Sequence, residues 1–275
     1  MKKIYCVNCL KKVSSLTAIL ASAWMLAMGG CDLVDTGSGG GATYLLGINF
    51  HLVAMNGPDA AKNSQINVMM DVIRRVYKNV DFEVDSVNIY THTGPDADRL
   101  TNIDIYLDED NSGWPDQMEE LLTWSARAPD RNLDIFLVRS IGDEGILGAA
   151  GDIPGPSQKG TSRSGMILNT FGDFFTMNRA ELELQATTVV HEAGHYLGSY
   201  HTTESEGLDF DYLSDTPECP QWSFDRNHDG QVSASECFGQ DGRYLMFWVA
   251  GDFAQETISA MQKDQWAGHG YVRKK

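Results

Sequence analysis

The stretch His191-Glu192-Ala193-Gly194-His195-Tyr196-Leu197-Gly198-Ser199-Tyr200-His201 decides how the rest of the chain is read. On a helix His191 and His195 are four residues apart, so both imidazoles stack on one face and can reach a single Zn²⁺. Glu192 follows the first histidine. It is placed to take a proton from a water that the metal activates, without being a ligand itself. Three residues after His195 comes Gly198, which tolerates positive φ; the helix should stop there and turn the chain so that His201 closes the third metal position. Three protein ligands leave one coordination position open, the mark of a catalytic rather than a structural zinc.

Outward from this motif, Asn178 with Glu181 supplies an N-cap and a partial capping box, which predicts a helix over Arg179–Leu197. Upstream, Leu46, Ile48, Phe50 and Leu52 alternate, so Tyr44–Val53 reads as a strand. A helix should follow from Asn63 or Ser64 to Asn79, with Ile66, Met69, Ile73 and Val76 at helical spacing. Further strands fit Ser86–Tyr90, Asn102–Leu107, Leu133–Arg139 and Gly165–Leu168, with a short helix near Pro115–Ala126 and a last one over Ala254–Trp266. Strands interleaved with two long helices imply an α/β fold with a sheet backing the metal helix. There are no internal repeats and no second domain.

The motif resembles that of the metzincin zinc endopeptidases, whose sequences continue to a downstream Met-turn. Here Tyr244-Leu245-Met246-Phe247-Trp248 fits that place, with Met246 as the methionine. The string His191–Thr202, the Asp215-Thr216-Pro217 that follows and the pair Cys219 and Cys237 are similar to the pappalysin-like (cytophagalysin) family. The resemblance covers about residues 43–270. It implies one catalytic domain, residues 44–275, with a mixed twisted sheet, a long zinc-binding helix and a C-terminal helical subdomain holding the Met-turn beneath the zinc. Many relatives carry Tyr two residues after that Met, in support of the transition state. This chain has Trp248 instead.

The first thirty residues read as a targeting segment. Lys2, Lys3, Lys11 and Lys12 precede an apolar run, Leu16–Met28, too short to span a bilayer, and Gly29-Gly30-Cys31 supplies small residues before a cysteine, as in a bacterial lipobox with Met28 at the usual leucine position. We therefore expect residues 1–30 to be a lipoprotein signal peptide, Cys31 to carry lipid, and the glycine-rich residues 31–43 to be a flexible tether. The protein is then exported to the bacterial cell envelope and held to a membrane by its lipid. Cys6 and Cys9 fall in the removed segment. The tether is too short for a pro-domain and offers no cysteine to mask the zinc, which leaves either no zymogen or a separate inhibitor. The formal charge of −17 falls to −21 without the four lysines of the signal segment. So acidic a chain is not a nucleic-acid binder.

A second metal pattern runs from Asp225 to Glu236. Oxygens at Asp225, Asn227 and Asp229, Gly230 at position 6, the Gln231 carbonyl at 7, Ser233 at 9 and Glu236 at 12 match a twelve-residue Ca²⁺ loop. Pro217 and Pro220 argue against an incoming helix. With Cys31 committed to lipid, Cys219 and Cys237 are left to pair around this loop, which an oxidising compartment permits. His228 should be exposed and inert, and His51, His92 and His269 read as lone histidines with satisfied or surface roles. The resulting expectation is a zinc endopeptidase acting on proteins or peptides with Glu192 as general base. Two others remain open: a hydrolase of non-protein amides, and an adhesion lipoprotein with a silent zinc site.

Overall fold

Alternation in Tyr44–Val53 produces β1, the strand around which the sheet is built. The computed structural model describes residues 43–142 and 145–275. The expected signal segment, nearly all of the tether and Cys31 lie outside them. After β1 come α1 (Asp59–Lys78), β2 (Phe82–His92), α2 (Pro95–Leu100), β3 (Asn102–Ile103), α3 (Asp116–Leu122), β4 (Leu133–Val138), β5 (Ser140–Ile141), β6 (Gly148–Ala150), β7 (Met166–Asn169), α4 (Arg179–Tyr196), α5 (Gln221–Phe224), α6 (Ala260–Ala267) and β8 (Arg273–Lys274). The main sheet has the order β2-β1-β4-β7-β6, and β8 pairs with the start of β1. β1 runs parallel to β2 and β4, and β4 parallel to β7. Only β6, on the edge, and β8 run antiparallel to their partners. The fold is mixed α/β.

The two faces of the sheet carry different chemistry. Leu46, Ile48, Phe50 and Leu52 pack with Ile66, Met69, Ile73 and Val76 of α1 and with Leu182, Ala186, Val189 and Val190 of α4. Burying such side chains contributes roughly 1.5–3 kcal/mol each, which fixes α4 against the sheet. On the other face, Val53, Phe136, Val138 and Ile167 meet Leu100, Met118 and Leu121. The intervening β1 residues Asn49 and His51 are fully buried. His51 bonds Asp134 at 2.9 Å and His92 at 2.8 Å, and Lys159 reaches Asp134 at 2.8 Å. His51 and His92 are therefore not lone histidines. They are members of one buried polar network, which the register of β1 on β2 brings together.

Several boundaries differ from the sequence expectation. α1 starts at Asp59 behind Pro58, with no side-chain cap, because proline suits a helix start where no donor is needed. β2 is longer than Ser86–Tyr90 since it follows β1 over its full length. Of Asn102–Leu107 only β3 is extended. Beyond it Asp104 accepts from the Tyr106 N–H and turns the chain. The last helix begins at Ala260, where Ser259 and Gln262 form a capping box. Contrary to the proline argument, one helical turn, α5, does precede the Asp225 loop, since Pro220 stands at its N-cap. α5 and α6 are the only helices described beyond α4, so the expected C-terminal helical subdomain is mostly turns. No helix among the described residues is long and apolar enough to cross a membrane.

Candidate metal centre

The metal helix begins as predicted. Asn178 accepts from the Glu181 N–H and Glu181 returns a bond to the Asn178 N–H, a complete capping box. Its other end closes in a Schellman motif: Ser199 N–H donates to the Gly194 carbonyl at 2.9 Å and Gly198 N–H to that of His195 at 2.9 Å. Gly198 has φ +118°. A side chain there would be strained whatever the space around it, so the turn that delivers His201 requires glycine.

All three histidines are at most 4% exposed. Each is oriented by a bond at Nδ1: His191 to the Leu245 carbonyl at 2.6 Å, His195 to the Ser199 carbonyl at 2.8 Å, and His201 to the Glu204 carboxylate at 2.9 Å. Since a carbonyl or carboxylate only accepts, the ring proton belongs on Nδ1 and the lone pair on Nε2. The Nε2 atoms converge, with His195 at 3.1 Å from both His191 and His201. Facing lone pairs repel unless a cation lies among them. Two nitrogens bound to one Zn²⁺ in tetrahedral geometry lie about 3.3 Å apart, so the donor set and its spacing fit zinc. Burial and the neighbouring His201 push His191 down to about 3, and burial holds His195 well below the usual range as well. Both rings are thus neutral and ready to ligate.

Glu192 is fully buried, and neither carboxylate oxygen has a hydrogen-bond partner. Burial raises its pKa well above the usual carboxylate range; the Ala150 N–H faces it and opposes that shift without closing a bond. Gly148 of β6 lies directly over the Glu192 side chain. Beneath the helix, Met246 is fully buried against Gly194, where a Cβ would come within 2.4 Å of the Met246 sulfur and 3.0 Å of Trp266. Glycine at 194 admits the methionine. The Met246 carbonyl accepts from Thr202 N–H at 2.9 Å, so the turn is tied to the segment after His201. A cavity of about 500 Å³ opens beside His191, between α4, Leu245 and residues 250–256.

The family model of metallo-peptidase family M12 matches residues 51–256, three quarters of the chain and the whole of this centre. The chain belongs to metallo-peptidase family M12. Among solved structures, the M12 chain is similar to metalloproteinase-II from Bacteroides fragilis, at 12% identity over 84% of this chain and 54% of that one, with a TM-score of 0.40. It is also similar to archaemetzincin from Methanopyrus kandleri, at 13% identity over 57% of this chain and 75% of that one, with a TM-score of 0.37. The M12 chain spans 54% of the length of the Bacteroides protein. No curated protein matches it.

Other expected residues of the M12 chain fall as follows. Cys219 and Cys237 are joined by a disulfide, with Cα atoms 5.7 Å apart. Asp225, Asn227, Asp229, Gln231 and Glu236 share one loop closed by its own bonds: the Asn227 amide donates to the Asp229 carboxylate at 3.0 Å, and the Glu236 carboxylate accepts from Arg226 N–H at 2.9 Å and from the Ser233 hydroxyl at 2.7 Å. Asp225 keeps one buried oxygen without a partner. Three carboxylates that lie close together, Asp108, Asp110 and Asp116, went unremarked in the sequence, although Asp108-x-Asp110 is similar to the Asp225-x-Asn227 of the later loop. They are tied up by the N–H groups of Gly113, Ser112 and Glu109, and we assign them no function. Trp248 is 5% exposed and its indole N–H is committed to the Val232 carbonyl at 2.7 Å. Its one side-chain donor is therefore taken by the backbone and is not free for a substrate. Glu204 was also missed; a carboxylate three residues past the third histidine was the available signal.

Proposed function

We propose that the protein is an exported zinc endopeptidase of pappalysin-like type, and the observation that carries this reading is the convergence of three imidazole nitrogens next to a buried, unpaired Glu192. His191, His195 and His201 would hold the ion. Zinc, when bound, supplies Lewis acidity to the scissile carbonyl and acidifies the water beside it. Glu192 takes the proton from that water as it attacks the carbonyl carbon, and delivers it to the departing amine nitrogen. Desolvation makes the carboxylate a stronger base than one in water, which suits both transfers.

An extended peptide fits the open edge of β6, where unpaired backbone groups accept another strand and Gly148 brings that strand over Glu192. The cavity beside His191 takes a side chain next to the cleaved bond. Its charged lining is the Arg75–Glu256 pair together with Glu183 and Asp252, whose effect on side-chain choice a peptide-library digest would read out. Export and lipid attachment at Cys31, calcium in the Asp225–Glu236 loop and control by a separate inhibitor belong to the same proposal and rest on the sequence.

The test is to load purified protein with zinc and follow cleavage of a denatured protein substrate. Wild type should cleave, lose activity to a chelator and regain it with zinc. Glu192→Gln should keep one zinc equivalent and lose most activity. Full activity in that variant would refute the role of Glu192. A zinc-loaded wild type that cleaves nothing would favour a binding protein.

A further inference from the structure

Trp248 stands two residues after Met246, and its surroundings give it a structural task. Its N–H donates to the Val232 carbonyl at 2.7 Å, and the Val232 N–H donates in turn to the Ser205 carbonyl at 2.9 Å. Val232 is fully buried in a small core with the Cys219–Cys237 disulfide and Phe247, Trp248 and Val249. Through the two backbone groups of one residue, the disulfide-closed loop thus grips two segments at once. One carries Leu245, whose carbonyl orients His191; the other carries His201 and Glu204.

We infer that Trp248 is a positioning residue for the zinc centre, coupling the order of the Cys219–Cys237 loop to zinc affinity through Val232. This rests on the zinc reading above, though not on peptidase activity. Metal sites lose affinity when the groups that orient their ligands are released. Without the indole N–H, the Met-turn segment and the His201 segment keep their direct Thr202 to Met246 bond but lose the brace beneath it.

The experiment measures zinc affinity by titration in metal-buffered solution, with the visible spectrum of the cobalt-substituted protein as a second readout of ligand geometry. Trp248→Phe should bind zinc up to roughly tenfold more weakly, at or below the low end of the cost of losing a group that bonds a ligand directly, because Trp248 acts one bond further out, and should shift the cobalt bands. Leu121→Ala, on the far face of the sheet, lowers stability without touching this path and should leave both readouts unchanged. In a Cys219→Ser/Cys237→Ser background, Trp248→Phe should cost less than in wild type, because the loop it braces is already loose. Should Trp248→Phe fail to fold, benzothienylalanine at position 248 keeps the shape and removes only the donor. Wild-type zinc affinity in either substitution overturns the inference, as does an effect that simply adds to that of removing the disulfide. If zinc affinity falls as expected while wild type proves inactive on peptides, the peptidase reading fails and this one stands.

Discussion

Gly194 occupies a helix interior, where glycine costs about 0.5–1 kcal/mol relative to alanine, because the Met246 sulfur and Trp266 take the space a Cβ needs. Gly194→Ala should therefore destabilise the protein by about 1–3 kcal/mol despite the better helix propensity, as overpacked cores do. Urea unfolding would check it, and a variant as stable as wild type would mean that Met246 gives way freely. Glu204 orients His201 from the surface side. Glu204→Ala should weaken zinc binding about tenfold or more. A zinc titration indistinguishable from wild type would remove Glu204 from the site. These contrasts show what the sequence could disclose. His191, Glu192, His195, Gly198 and His201 were legible because their roles follow from spacing along one helix and one turn. The acceptors that orient His191 and His195 are backbone carbonyls of Leu245 and Ser199, and a backbone group leaves no letter in a sequence.

Elements with their own local chemistry were the legible ones. α4 announced itself through Asn178 and Glu181, and the structure closes both bonds of that box. Asn178→Ala should cost about 1 kcal/mol, seen as a lower melting temperature with unchanged zinc stoichiometry. β6 was invisible, since Gly148-Ala149-Ala150 has no alternation and becomes a strand only by pairing with β7. α1 hid its start behind Pro58 for the same kind of reason: nothing in the sequence caps it. For the Asp225–Glu236 loop, calcium should raise the melting temperature of wild type, by about 2.7 kcal/mol of added stability at a hundred times its dissociation constant. In Glu236→Ala the rise should be much smaller. Since Glu236 now bonds Arg226 N–H and Ser233, an ion must compete with those bonds, and equal responses in both proteins would show that the loop only closes on itself.

At the scale of the whole molecule, the buried network across β1, β2 and β4 makes stability sensitive to acid. Burial first, then His51 and Arg127, push His92 down to about 4. The unfolded imidazole titrates near 6.5, so below that pH the unfolded chain binds a proton the folded one refuses. The stability that neutral His92 contributes is whole above about 6.5 and is lost progressively as pH falls toward 4. Unfolding curves across that window should fall more steeply for wild type than for His92→Gln; equal slopes would dismiss the network as the cause. No pattern of spacing could have disclosed this network, because residues 51, 92, 134 and 159 meet only after three strands are aligned.

The same alignment brings the two ends of the described fold together. β8 lies beside the first residues of β1, and Lys275 N–H donates to the Thr43 carbonyl at 2.9 Å. Whatever is joined before Thr43 and whatever is joined after Lys275 leave from one spot, so the fold is topologically close to a ring. A circular permutant that links these residues through a few glycines, and opens in the exposed turn at Asp110–Ser112, should still assemble the histidine cluster, because the segment from Gly113 to Lys275 that carries His191, His195 and His201 stays unbroken.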